Sequence, residues 1–250
     1  MNTSVKNSML SEKIFNANDE TFNALAIEVF HFQYEYNKVY RQYCDTLQIA
    51  PHLITKLQQI PFLPIGFFKT HQVTTTEFEA AIIFESSGTS KTYNSRHYVK
   101  EISLYEKSFN LAFRLFYGDP VDWCILALLP SYLERNNSSL VMMAENLVLQ
   151  SYHKQSGFYL SEWEKLHTTL MQLEKEGQKT LLLGVTFALL DFTEQYPVRL
   201  KYTTVMETGG MKGRREEMIR EEVHAELCKH FKLQLVHSEY SMTELLSQAY

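Results

Sequence analysis

The chain has few cysteines and no cysteine pair. Cys44, Cys124 and Cys228 are an odd number with no CxxC spacing, which argues against a disulfide framework and for a reducing compartment. No apolar run is long enough to span a bilayer. Met1 to Phe15 mixes Asn, Ser, Lys and Glu without the apolar stretch of a secretory signal, so the expected location is the cytoplasm. Neither sign of charge dominates: a formal net charge of −5 gives no electrostatic footprint for nucleic acid or an anionic membrane. The densest basic run, Lys212 to Arg220, is interleaved with Glu216 and Glu217 and reads as a solvated helix face. Three catalytic signatures are also missing. There is no GxxxxGK[ST] loop, no GxSxG elbow and no GxGxxG after an early strand, so neither a P-loop, a serine hydrolase nor a dinucleotide fold has its fingerprint.

What remains is an ordinary globular chain: 250 residues, 45% hydrophobic and 21% charged, enough to bury a sizeable core. Residues 1–18 are polar and read as a loose lead-in to a domain spanning 19–250. Asp19 to about Leu47 has helical periodicity, with an aromatic face built for packing. Two prolines and a glycine make Pro61 to Phe68 an apolar loop. A strand over Ala80 to Glu85 and a helix over Ile102 to Phe116 follow. Trp123 to Leu129, closed by Pro130, is a continuous apolar run, as a strand buried on both faces requires. The rhythm continues with a helix over Ser139 to Gln150 and another capped by Ser161 with Glu164 and stopped by Gly177. Strands over Thr180 to Val185, Tyr202 to Glu207 and Leu233 to Val236 alternate with helices over Phe187 to Gln195 and around Ile219, Val223 and Leu227. Alternating β and α with buried strands predicts an α/β fold with a largely parallel sheet flanked by helices.

Three segments carry chemistry. Ser86, Ser87, Gly88, Thr89 and Ser90 follow a predicted strand, and small residues with hydroxyls suit an anion; a hydroxylated surface turn explains them as well. Gly209 and Gly210 end a strand, where bare backbone lets a flat ligand approach or simply makes a tight turn. Tyr240-Ser241-Met242-Thr243-Glu244 sets an aromatic beside a hydroxyl and a carboxylate, a combination suited to a base, a phosphate and a Mg²⁺ ion. A lone carboxylate after a strand is also a common helix N-terminal residue. His224 and Cys228 share a predicted helix face but His230 does not, and a fourth zinc ligand is missing.

The joint order of these segments resembles the adenylate-forming synthetases, and the chain looks like the N-terminal domain of such an enzyme. Within that superfamily, Ile60 to Thr70 and Leu128 to Arg135 are similar to the acyl-protein synthetases, which include the fatty acid–protein ligase of bacterial bioluminescence and are related to phenylacetate–CoA ligases. The resemblance runs from about Ile60 to the C-terminus. It implies that Ser86, Ser87, Gly88, Thr89 and Ser90 hold ATP phosphates, that Gly209 and Gly210 border adenine, and that Tyr240 stacks on it. Thr243 would bond the α-phosphate and Glu244 would hold Mg²⁺. The implied reaction joins a small-molecule carboxylic acid, most readily a fatty acid, to AMP and then to a thiol of coenzyme A or of a protein cysteine. Ser241 departs from the glycine usual in relatives. The chain also ends six residues after Glu244, without the C-terminal lid, so it reads as the N-terminal part of such an enzyme. Two other expectations stand beside this one: an aryl- or acyl-CoA ligase fragment, and a degenerate binding or assembly module that works as a homodimer or with a missing C-terminal part.

Overall fold

The structure is a computed structural model that describes residues 3–86, 93–129, 137–211 and 213–250, with side chains from Lys6 onward. It divides into two compact units, residues 1–104 and 105–250. In the first, the polar lead-in is helical rather than loose: α1 (Thr3–Phe15) is tied to α2 (Phe22–Tyr36) by Lys13, 2.7 Å from Glu28. The expected single helix over Asp19 to Leu47 is two, because Asn37 breaks it. Its backbone is extended and its side chain accepts from the Tyr40 N–H at 3.0 Å, capping α3 (Lys38–Thr46). Phe30, Tyr40, Cys44 and Ile54 make a small core under these helices. Pro61 to Gly66 is a loop as predicted, and Phe67 and Phe68 open the short α4 (Phe67–Thr70). The strand expected at Ala80 to Glu85 is β1 (Ile82–Glu85), paired antiparallel with β2 (Arg96–Val99), which periodicity did not announce.

The second unit holds the parallel sheet. α5 (Ile102–Tyr117) begins just before the boundary, and the chain then runs through β3 (Cys124–Leu128), α6 (Ser139–Ser151), β4 (Gly157–Phe158), α7 (Trp163–Glu176), β5 (Thr180–Val185), α8 (Thr186–Gln195), β6 (Thr203–Thr208), α9 (Arg220–Phe231), β7 (His237–Ser241) and β8 (Gln248–Ala249). The sheet order is β4-β3-β5-β6-β7-β8, parallel except for the β7–β8 pair. β3 and β5 are buried at every position, as continuous apolar runs demand. Chain progress reverses at β3, so right-handed crossovers send α6 to one face and α7, α8 and α9 to the other. Side chains agree: Tyr105 of α5 donates to the Ser139 carbonyl of α6, while Phe192 of α8 lies against Trp163 of α7 and Phe231 of α9. Gly184 lets α8 start directly off β5, because a Cβ there would sit 2.7 Å from Leu189 side-chain atoms.

Four local expectations are corrected. Glu162, not Ser161, is the residue before α7, and no side chain caps it; Gly177, at φ +69°, does end the helix. Ile219 is an exposed flanking residue of α9, whose buried stripe is Val223, Leu227 and Phe231. Of the basic run, residues 213–219 are irregular rather than helical and Arg220 opens α9, while Arg215 bridges Asp191 and Glu194 of α8. The last parallel strand is not Leu233 to Val236 but β7, four residues further on.

Candidate functional site

Ligands of open parallel sheets bind beyond the carboxyl ends of the strands, where helix N-termini and loops converge. In this sheet β5, β6 and β7 are consecutive neighbours and release Thr186, Gly209-Gly210 and Met242-Thr243-Glu244 on the same edge. Thr208 pairs with Glu239, which brings Gly209 beside Tyr240. Gly209 turns the chain with φ +80°, a conformation that penalises any side chain. Among the described residues, its chain neighbours aside, nothing lies within 4 Å of where a Gly210 Cβ would stand, which leaves its backbone open to a ligand. The Tyr240 side chain is 56% exposed and presents a free ring face at the same edge.

Thr243 and Glu244 sit at the corner of a turn closed by the Leu245 N–H donating to the Met242 carbonyl at 3.0 Å. No helix follows, which removes the helix-start explanation of Glu244. Instead β8 returns antiparallel, pairing Ser241 with Gln248 and Tyr240 with Ala249, so the turn is the tip of a hairpin held by two rungs. Ser86 lies at the end of β1 in the first unit, its hydroxyl accepting from the Ser95 N–H at 2.9 Å. Ser87, Gly88, Thr89 and Ser90 lie outside the described residues, as do Pro130 to Arg135.

Sequence reasoning missed the polar groups beneath this edge. Glu207 and Glu239 are buried, at 7% and 4% exposure, on adjacent strands but on opposite faces of the sheet. Glu207 accepts from the Thr186 hydroxyl at 2.8 Å and the Ser238 hydroxyl at 2.6 Å, with His224 Nε2 3.2 Å from Ser238 Oγ and 3.5 Å from the carboxylate. His224 is thus engaged by the sheet rather than by Cys228 and His230. Among the described residues no group of three or more His, Cys, Asp or Glu is arranged to hold a metal. Glu239 accepts from Thr208 at 2.5 Å and from Ser241, yet burial still pushes its carboxyl above the usual carboxylate range. The signal available in the sequence was polar alternation at a strand end, His237-Ser238-Glu239, which hydropathy reads as loop.

The cysteines are poor acyl acceptors as they stand. Cys44 and Cys124 are buried, and burial raises all three thiols, Cys124 to about 11. No helix among the described residues is long and apolar enough to cross a membrane.

Compared with known families, residues 5–234 match the family described as "Acyl-protein synthetase, LuxE". That is nearly the whole chain, and the protein belongs to this family. Comparisons with curated proteins and with solved structures return no match.

Proposed function

We propose that this member of the acyl-protein synthetase family activates a fatty acid with Mg²⁺–ATP as an acyl-adenylate and passes the acyl group to a thiol. The observation that carries the reading is the convergence of an open glycine backbone, an exposed tyrosine ring and a Thr-Glu turn on neighbouring strand ends. The residues fit the group. Gly209 and Gly210 leave room for a flat base, and Tyr240 offers a ring to cover it. Thr243 has a hydroxyl for an α-phosphate oxygen, and Glu244 has a hard oxygen ligand for a magnesium ion that would take its remaining ligands from phosphate and water.

The chemistry is an in-line displacement. A carboxylate oxygen of the acid attacks the α-phosphorus, the bond to the β-phosphate oxygen breaks, and pyrophosphate leaves. A thiolate then attacks the acyl carbonyl and AMP leaves. The part taken by this chain is to position the reacting groups and neutralise developing charge with Thr243 and Glu244. Because its three thiols are raised by burial, the acceptor is coenzyme A or a cysteine of another protein. The phosphate-binding role of Ser86 to Ser90 rests on resemblance alone.

Carboxylate-dependent ATP–pyrophosphate exchange with Mg²⁺, across a panel of fatty and aryl acids, tests the proposal. Exchange with a fatty acid, reduced at least tenfold in Glu244→Ala, is the expected result. Exchange only with aryl acids would replace the substrate class with that of the CoA ligases. Equal silence of both chains, with no Mg²⁺-dependent ATP binding in calorimetry, would overturn it in favour of a binding or assembly module.

A further inference from the structure

The hairpin that carries Thr243 and Glu244 is fastened from below by a buried polar cluster. On one face of the β7–β8 pair stand Glu239, Ser241, Gln248 and Tyr250, by strand alternation and the Ser241–Gln248 register. They meet α5 and α6. Gln248 Nε2 donates to the Tyr105 hydroxyl at 2.6 Å, that hydroxyl donates to the Ser139 carbonyl at 3.0 Å, and the Tyr250 hydroxyl reaches Met143 Sδ at 3.8 Å. Two acceptors in this cluster have no donor: Glu239 Oε1 and Gln248 Oε1, both shielded from solvent. A buried acceptor left alone costs about 1–3 kcal/mol, and the register sets Glu239 diagonally across from Gln248 on the same face.

One proton resolves both. We propose that Glu239 is a positioning residue that holds a proton on Oε1 and donates it to Gln248 Oε1, closing the base of the Thr243–Glu244 hairpin. The other oxygen, Oε2, then remains the carbonyl acceptor of the Thr208 hydroxyl. The surroundings favour the neutral acid. Around Glu239 stand Tyr105 on α5 and Tyr250 after β8; Glu207 on β6 acts from the opposite face of the sheet, and His237, two residues back on β7, is bonded to Tyr117 of α5. The tyrosines are held neutral by burial, and burial also lowers His237, so among the described residues no cation stands against an ionised Glu239. The importance of the hairpin for nucleotide binding rests on the function proposed above; the proton does not.

The sign of the pH effect follows from linkage. An unfolded glutamate releases its proton near pH 4.3, whereas the native one keeps it. The contribution to stability is therefore complete below about pH 4.3 and is lost as pH rises toward the native value, at about tenfold in the folding constant per unit. Glu239→Gln carries a permanent donor and escapes this loss. Three measurements on the full chain test the idea: thermal unfolding of wild type and Glu239→Gln between pH 5 and 9, infrared difference spectra of the same pair, and the pH profile of Mg²⁺–ATP binding. The variant should gain on wild type progressively as pH rises. Wild type should show the carbonyl stretch of a protonated carboxyl that the variant lacks, and its ATP affinity should fall at high pH more steeply than the variant's.

A carboxylate spectrum at neutral pH with a stability gap independent of pH would overturn the proposal. It would mean that the Gln248 amide is turned, with Nε2 donating to an ionised Glu239. Should Glu239→Gln not fold, the wild-type spectrum as pH is raised decides alone. If ATP does not bind at any pH, the functional reading fails while unfolding and infrared still judge the proton.

Discussion

Glu207 and Glu239 are the same residue type, almost equally buried, one strand apart, yet their surroundings differ in kind. Glu207 looks toward α8 and α9, where Thr186 and Ser238 give a hydroxyl to each of its oxygens and His224 stands behind them. Glu239 looks toward α5, with the Thr208 hydroxyl on Oε2 and no donor on Oε1. Burial alone therefore says little about what a carboxyl does. The count of donors per oxygen separates the two: each Glu207 oxygen receives a hydroxyl, whereas one Glu239 oxygen is left to carry a proton.

The comparison can be broken by removing each group in turn. Glu207→Leu should have the largest effect, about 3 kcal/mol of lost stability in denaturant unfolding, because it strands two buried hydroxyls and their histidine. Glu239→Leu, at matched burial, should cost less, about 1–2 kcal/mol, because it strands the Thr208 hydroxyl and Gln248 Oε1 but no histidine. Equal losses would show that the two environments are equivalent. Thr208→Val, which takes away the 2.5 Å donor of Glu239, should cost about 1 kcal/mol near pH 7. The smallest effect concerns His237, whose ordinary protonation is depressed by burial and by His224. Below about pH 6.5 the unfolded chain takes a proton that the native one resists, so stability falls with acid; His237→Phe should flatten that limb in a pH series of melting temperatures.

How much of this was legible depended on whether hydropathy and structure coincide. β3 and β5 were readable because buried parallel strands are largely apolar runs, β6 because β-branched threonines and a valine precede the Gly-Gly turn, and Gly177 announced the end of α7. β7 was misplaced because its sequence, His237-Ser238-Glu239-Tyr240-Ser241, is polar; tertiary hydrogen bonds, not side-chain transfer, bury it. β4 and β8 have two residues each, too few for any period. At the candidate site, Gly209, Gly210, Tyr240, Thr243 and Glu244 were singled out through motif order, and the structure brings them to one edge. Glu207, Glu239, His224 and Gln248 were not, because a residue that supports a site from beneath has no local spacing of its own.

The direct passage from β5 into α8 has a consequence for how the chain tolerates change. Strand ends at Val185 and helix begins at Thr186 with no intervening loop, and Gly184 makes the fit. One inserted residue here would rotate α8 by about 100° and carry the Thr186 hydroxyl away from Glu207. Natural length variation should therefore be excluded from this junction and gather in exposed turns such as the one at Gly118, while a graft or circular permutation through residues 184–186 should fail outright.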